Sequence, residues 1–362
     1  MLIARMDSRQ RMNILPIALI PFMNMILTSS GNMINILQSF SGFLQLLIPL
    51  FLIEYVRKGN YRLGRYVLMY FLLSSFITTI TTYFGCMQYP GIIREIVGGG
   101  SSENTLYKIS QSLNIGGFDF IYDMVLLLPL LICSIKYRDC YQTPFRVLAM
   151  SCIFVVVIGM MLIAAEFTTA ILSATISVVL LLVMNKQLDT KKMFVWGGIF
   201  ILVAYALMPL IVQLLNYFAS SIESGTISHR LSDLAASLSG SETSQGSDID
   251  ERQEAFTTSW NTFIANPLGA WGVARIGGHS FLLDNLARYG IWGIFMFYLL
   301  FRSIVRNYIL PFKTYTYHGY AIFVFVLSCI FSLVNPHIYL DMICLYMPLF
   351  LFTLEQRYTS KL

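Results

Sequence analysis

Long apolar blocks dominate the chain and alternate with short polar segments. The blocks cover residues about 14–29, 34–53, 66–84, 120–135, 147–164, 168–184, 194–217, 281–301, 318–334 and 338–354. Most of them contain about 17–22 residues, the length that crosses about 30 Å of hydrocarbon as an α-helix. We therefore predict an all-α, polytopic membrane helix bundle with ten transmembrane helices. No A-x-A-like cleavage site follows the first block, so we expect a retained anchor rather than a cleaved signal peptide.

The basic residues divide between the two sides of this predicted bundle. With the N-terminus in the cytoplasm, 18 of the 24 Lys and Arg residues fall in inside segments, five fall outside, and Arg288 lies within a span. Lys and Arg are enriched in cytoplasmic loops of membrane proteins. The distribution therefore predicts that both termini are cytoplasmic. It also places the longest polar segment, residues 218–280, on the extracytoplasmic side.

The composition supports the same class of protein. The 362 residues are 56% hydrophobic and only 12% charged, whereas a soluble domain has about 25% charged residues. This supply of charge is too small to cover a soluble globule of 41.2 kDa. We therefore treat residues 1–362 as one integral membrane domain that contains the 218–280 loop. The net charge of +5 follows from topology, and we expect no nucleic-acid partner.

The predicted cytoplasmic loops are too short to form a nucleotide-binding domain. The longest of them has about 16 residues, and no G-x-x-x-x-G-K-[ST] motif occurs in the chain. No cluster of residues has the spacing of metal ligands, so we expect neither a cofactor nor a metal. Any reaction must then draw its energy from the substrate.

The 218–280 loop contains two amphipathic patterns. Ile227, Leu231, Leu234 and Leu238 form one helical stripe, with Arg230 at its edge, and Ile249, Phe256, Trp260 and Phe263 form a second, with Arg252 on the same side. We predict two short helices, the second ending before Pro267. The arginines would point at lipid headgroups, either as interfacial residues whose long side chains extend to the headgroups or as ligands of a bound group.

Further candidates follow Pro267. Gly277 and Gly278 precede His279, and the start of a helix favours the neutral, basic form of the imidazole. Within the predicted eighth span, Asp284 and Arg288 are four residues apart and share a helical face. Charges inside a membrane usually line a cavity, and a buried structural ion pair is the alternative.

A second group of polar residues lies between the last two spans. Asn335 and Pro336 have the pattern of an N-cap and a first helical residue. His337 would then lie in the first turn, with Asp341 one turn later on the same face. The pair is either a histidine oriented as a base or an Asp that holds a capping histidine.

In their order, these features resemble the O-antigen polymerase and O-antigen ligase superfamily of polytopic glycosyltransferases. Members of that family have two arginines in a large outer loop, then a "P-x-G-x-G" stretch, and a histidine before a span with "G-I-x-G". The corresponding residues here are, in chain order, Arg230, Arg252, Pro267, Gly269, Gly272, His279, Gly290, Ile291 and Gly293. The resemblance covers residues 230–293.

The resemblance implies an activity and roles for these residues. Such enzymes transfer a glycan from undecaprenyl diphosphate to an acceptor hydroxyl at the outer face of the bacterial plasma (inner) membrane, without a metal. By resemblance, Arg230 and Arg252 would bind the diphosphate and His279 would be the catalytic base. The family's arginine at the start of the sixth span is absent here, so Arg275 or Arg288 is expected to replace it. Lipid-linked glycans, membrane lipid, a flippase and a chain-length regulator are the partners that the resemblance implies.

Three functions remain open at this point. A polymerase would transfer the growing chain to the next lipid-linked repeat unit, and a ligase would transfer glycan to a lipid or a protein. A polysaccharide or lipid transporter is the alternative of another class. Position separates the classes, because a catalyst of this kind needs its charged groups at the outer face, whereas a transporter needs them near the middle of the membrane.

Overall fold

The computed structural model describes residues 52–56, 58–93, 105–137, 145–183, 208–221, 225–239, 248–270, 276–313 and 317–359. Helices account for nearly all of these residues, and no strand occurs among them. The helices are α1 Tyr61–Gln88, α2 Thr105–Ser112, α3 Phe118–Lys136, α4 Phe145–Ala165, α5 Thr168–Val183, α6 Met208–Ser221, α7 Gly225–Ser239, α8 Asp248–Ala265, α9 Phe281–Tyr289, α10 Ile291–Ile304, α11 His318–Val334 and α12 Met347–Thr359. The all-α class predicted from the sequence is therefore confirmed.

Four helical segments are long and apolar enough to cross a membrane. They are α1, α3, α4 and residues Ile291–Phe312, where α10 continues through a π turn and a 3₁₀ turn. Three shorter apolar helices cover Thr169–Leu182, His318–Val334 and Met342–Leu354. These seven segments overlap seven of the predicted spans, but only the first four are long enough to cross a membrane, and the count of ten spans stays a prediction. The spans predicted at about 14–29 and 34–53, and most of the one at 194–217, lie outside the described residues.

Helix α3 is at the centre of the bundle. Its apolar window is 72% buried, whereas those of α1 and α4 are only 22% buried. It packs against α4, α5, α11 and α12. Because every residue from Met124 to Ser134 is buried, the continuous apolar sequence of α3 is what a helix surrounded by other helices requires.

The outer helices expose large apolar side chains. On α1, Met69 is 59% exposed, Ile77 50% and Phe84 63%. A contiguous apolar surface of this kind is unfavourable in water but compatible with hydrocarbon. The exposure therefore agrees with a membrane protein whose peripheral helices contact lipid.

Two of the predicted spans have different boundaries from those expected. The predicted span 281–301 is interrupted at Gly290, where φ is +59° and α9 ends. Since only α10 continues as the apolar helix, Asp284 and Arg288 lie before the span rather than in it. In the last span, residues 337–339 are not helical and the helix begins at Leu340. The predicted helix start at Asn335 is wrong, because Asn335 is the C-cap residue of α11.

The predicted topology can be tested by labelling introduced cysteines. We expect Ser244→Cys, in the 218–280 loop, to react with a membrane-impermeant maleimide in cells whose outer barriers are permeable to it. The matched control is Lys58→Cys, which is exposed and predicted to be cytoplasmic, and which should react only after lysis. Wild-type protein gives the background of the six native cysteines. The reverse labelling pattern would contradict the predicted orientation.

Candidate active site

The 218–280 loop contains both of the predicted helices. The stripe at 227–238 lies in α7, and the stripe at 249–263 lies in α8, which ends two residues before Pro267. Helix α7 packs against α6, and α8 packs against α9. Arg252 is half-buried on α8. The side chain of Arg230 and the whole of Arg275 lie outside the described part of the chain, so their predicted roles stay predictions.

The face of α8 that contacts the rest of the protein adjoins its aromatic stripe. Ala255 and Ser259 are buried, and Arg252 precedes them at helical spacing. Trp260, at the far side of the aromatic stripe, remains 50% exposed. Arg252 therefore lies between the protein-facing side of α8 and the stripe, as its spacing predicted.

The carboxylate of Asp284 holds the segment that carries His279. Its Oδ1 accepts hydrogen bonds from the Ser259 hydroxyl at 2.5 Å and from the Gly278 N–H at 3.2 Å. Its Oδ2 accepts from the Ser280 N–H at 3.1 Å. The residues on both sides of His279 are thus bonded to one buried carboxylate, which ties this segment to α8 through Ser259. The half-buried imidazole of His279 projects from a fixed backbone.

A close backbone contact strengthens the same connection. The N–H of Gly277 donates to the Ser259 hydroxyl at 2.9 Å. A Cβ atom at Gly277 would overlap the Ala255 carbonyl. Only glycine allows this approach, so Gly277 is explained by packing against α8.

The predicted ion pair between Asp284 and Arg288 does not form. Among the described residues, the partners of the Asp284 carboxylate are a hydroxyl group and backbone N–H groups. Arg288 instead lies beside Tyr289. Burial raises the pKa of the Tyr289 hydroxyl to about 12, although the positive charge of Arg288 acts in the opposite direction. The Asp284 carboxylate does not also pair with Arg288, because its oxygens already accept hydrogen bonds from Ser259 and from the His279 segment.

The Pro267–Gly269 stretch and the Gly290–Ile291 stretch are in contact with each other. The N–H of Ile291 donates to the Pro267 carbonyl at 2.9 Å. A Cβ atom at Gly290 would overlap both that carbonyl and the Gly269 nitrogen. Gly290 and Gly269 also have φ values of +59° and +107°, which glycine adopts without strain. These two glycines therefore join the end of α8 to the start of α10, and a bound group is not needed to explain them.

His337 pairs with an acid that the sequence did not indicate as its partner. Its Nε2 lies 3.4 Å from Asp119 Oδ1 at the start of α3, and the two side chains are 50% and 55% exposed. The predicted arrangement with Asp341 one turn after His337 is wrong, because His337 is not helical. Phe118, next to Asp119, brings its ring to 6.5 Å from the imidazole. The Asp119–His337 pair is open to a ligand.

One backbone hydrogen bond brings both histidine segments to the same end of the bundle. The N–H of Phe281 donates to the Asn335 carbonyl at 2.8 Å. His279 precedes Phe281 by two residues, and His337 follows Asn335 by two. The structure thus assembles Arg252, His279, Asp284 and the Asp119–His337 pair at one end of the apolar helices.

The role of Asp284 can be tested by comparing amide and charge variants. We expect Asp284→Asn to lower the stability of the folded protein by about 2 kcal/mol, since it weakens bonds from buried donors to a charged acceptor. Ser259→Ala should act in the same direction. Thermal melting in detergent, followed by size-exclusion chromatography, measures the effect.

The control variant for this experiment is Arg288→Gln. It should melt close to the wild-type temperature, because Arg288 is not bonded to Asp284. If Arg288→Gln and Asp284→Asn were equally destabilised, an ion pair would be the better description.

Comparisons with known proteins give no further guidance on this assembly of residues. No protein-family model, curated protein or solved structure matches the chain.

Proposed function

We propose that this chain is a membrane glycosyltransferase of the polysaccharide polymerase type. It would join undecaprenyl-diphosphate-linked oligosaccharide repeat units at the outer face of the bacterial plasma membrane. Donor and acceptor would both be held by the lipid in the plane of the membrane. The proposal begins from the resemblance in residues 230–293 and from the geometry at the end of the bundle.

The single observation that supports it best is the hydrogen bonding between α8, which carries Arg252, and the segment of His279. The face of α8 that carries Arg252 also carries Ser259, and Ser259 is bonded to both the Asp284 carboxylate and the Gly277 N–H. Arg252 is three residues, about 4.5 Å along the axis, from Ala255, which Gly277 contacts. A cationic group suited to a phosphate and a histidine suited to a hydroxyl group are therefore attached to one rigid unit.

This unit fits a transfer reaction in which His279 activates the acceptor. The imidazole would take the proton from the acceptor hydroxyl as the oxygen bonds to the anomeric carbon of the growing chain. The bond between that carbon and the diphosphate oxygen would break, and undecaprenyl diphosphate would leave. The guanidinium groups of Arg252 and, by resemblance, Arg230 would stabilise the negative charge that develops on the leaving group.

The position of the charged residues favours an enzyme over a transporter. Asp284 and Arg288 lie on α9, before the apolar segment Ile291–Phe312 begins. Asp119 lies in the first turn of α3. These groups are at the end of the bundle, whereas a proton or ion relay requires groups near the middle of the membrane. A ligase, which transfers glycan to a lipid or protein acceptor, would use the same groups. Only the product distinguishes it from a polymerase.

Loss of the protein should change the glycans of the host in a specific way. We expect a deletion strain to accumulate single repeat units on the lipid anchor, visible by gel electrophoresis and mass spectrometry of lipid extracts. Full-length chains left on undecaprenyl diphosphate would instead indicate a ligase, and unchanged glycans would exclude both. Complementation with His279→Ala should leave the single units, because general base catalysis contributes about 10²–10⁴-fold.

His337→Ala is the matched variant, since His337 is the other histidine at this end of the bundle. Both variants should be assayed in membranes with purified lipid-linked repeat unit, after immunoblotting shows equal accumulation. Near-normal turnover in His279→Ala together with an inactive His337→Ala would assign the base to the Asp119–His337 pair. Turnover in both would rule out a histidine base.

The arginines can be tested with a substitution that keeps the charge. We expect Arg252→Lys and Arg230→Lys each to lower turnover at least about tenfold, because an ammonium group cannot reproduce two parallel hydrogen bonds to a phosphate. Arg302→Lys, on α10 beside Tyr298, is the control and should retain activity. Wild-type polymer from both loop variants would contradict diphosphate binding by these residues.

A further inference from the structure

A group of acidic and polar side chains lies beside the candidate active site. We refer to Asp119, Asp123, Asn335, His337 and Asp341 as the acidic end cluster. It is formed by the start of α3 and by the segment between α11 and α12. The proposed catalytic mechanism uses none of these residues except His337, as the alternative base.

Two buried oxygens of this cluster have no partner in the described part of the chain. They are Oδ1 of Asp123 and Oδ1 of Asn335. Asn335 is only 1% exposed, and its amide nitrogen donates to the Tyr339 hydroxyl at 3.4 Å. A buried acceptor without a donor is costly. The oxygen of Asn335 therefore has no donor among the described residues, and a bound ligand would supply one.

The surrounding acids add hydrogen-bonding capacity to the cluster. Asp123 lies close enough to Asp341 and Asp119 for the three carboxylates to repel one another when charged. His337 pairs with Asp119. A carboxyl group accepts hydrogen bonds in either form and also donates one when it is protonated. A ligand with several O–H groups, each a donor and an acceptor, would match such a cluster.

The aromatic residues around the cluster favour a sugar ring among such ligands. Tyr122 and Tyr339 are buried, with ring centroids 6.2 Å apart, and together with Phe331 they form a rigid floor. Phe118 is half-buried beside the exposed imidazole of His337. A half-exposed aromatic face next to carboxylates can contact the C–H side of a sugar while the carboxylates bind its hydroxyl groups.

We propose that the acidic end cluster is the binding subsite for the acceptor sugar, and that it binds hydroxyl groups of the incoming repeat unit. This inference rests on the proposed function, because it names the substrate group that would lie opposite the diphosphate. The Phe281–Asn335 hydrogen bond places the subsite next to the segment of His279. A hydroxyl group held there would be near the base that is proposed to activate it.

Direct binding of a sugar tests the subsite. The probe is the host's repeat-unit oligosaccharide, released from undecaprenyl diphosphate by mild acid, and saturation-transfer NMR detects its binding to full-length protein in detergent. We expect wild-type protein to transfer saturation to the sugar ring protons. Asp123→Asn and Asn335→Leu should each weaken binding about tenfold, the loss of one hydrogen bond that involves a charged or buried acceptor.

Turnover provides a second measurement. With lipid-linked repeat unit as substrate, both variants should raise the concentration for half-maximal rate about tenfold and leave the rate at saturation nearly unchanged, because they remove binding that substrate and transition state share. Glu254→Gln, at an exposed position of α8, is the matched control and should behave like wild type. If Asn335→Leu does not accumulate, Asp123→Asn, which keeps the side-chain volume, is sufficient for the test.

The outcomes separate the subsite from the proposed function. If wild type polymerises repeat units and both variants bind and turn over like wild type, the subsite is wrong and the function stands. If wild type does not polymerise but binds the oligosaccharide, and both variants lose this binding, the subsite stands and the function is wrong. Absence of saturation transfer with wild type would overturn the subsite.

Discussion

The Asp284 carboxylate determines the geometry of the whole candidate site. It lies on α9, yet it accepts hydrogen bonds from α8 and from both neighbours of His279. Without it, the N–H groups of Gly278 and Ser280 would lose their partner, and only the Gly277–Ser259 hydrogen bond would connect this segment to Ser259. A buried charge is tolerated here because three donors replace its hydration. Asp284 is thus a positioning residue, and its effect on chemistry would pass through His279.

The apolar helices impose a second constraint, on where the backbone can leave the helical conformation. Helix α3 is surrounded by protein, while α1 and α4 present apolar side chains outward. Backbone polar groups inside such a bundle are satisfied only by helical hydrogen bonds. Irregular backbone is therefore concentrated at the ends, where the His279 segment and residues 337–339 lie. The same physical requirement that makes the bundle helical confines its polar chemistry to one edge.

Hydrophobic periodicity predicted the parts of the fold that depend on local sequence. The spacing of Ile227, Leu231 and Leu234 predicted α7, and the apolar runs predicted α3, α4 and α11. The break at Gly290 was missed because hydropathy averages over a window, and one glycine hardly changes the average of an apolar run. The sequence did contain a signal for this break, since Gly290 and Gly293 flank a potential helix start.

Contacts between distant segments could not be predicted from one sequence. Asp341 was expected near His337 from spacing alone. The pairing of His337 with Asp119 depends on how α11 packs against α3. In the same way, the spacing of Asp284 and Arg288 suggested a pair, but donors from α8 and the His279 segment compete for the carboxylate. Local spacing shows which residues can meet, and tertiary packing decides which of them do.

The proposed reaction would need no nucleotide to drive polymerisation. A lipid diphosphate would carry the required energy in its bond to the sugar, and it would enter from the membrane plane at the level where the helices end. Arg252 lies beside the protein-facing side of α8 there, while Trp260 on the same helix remains half exposed. Tryptophan is favoured at the membrane interface. An exposed aromatic edge would therefore keep α8 at the headgroup level, so that its arginine meets the diphosphate at the depth where the lipid presents it.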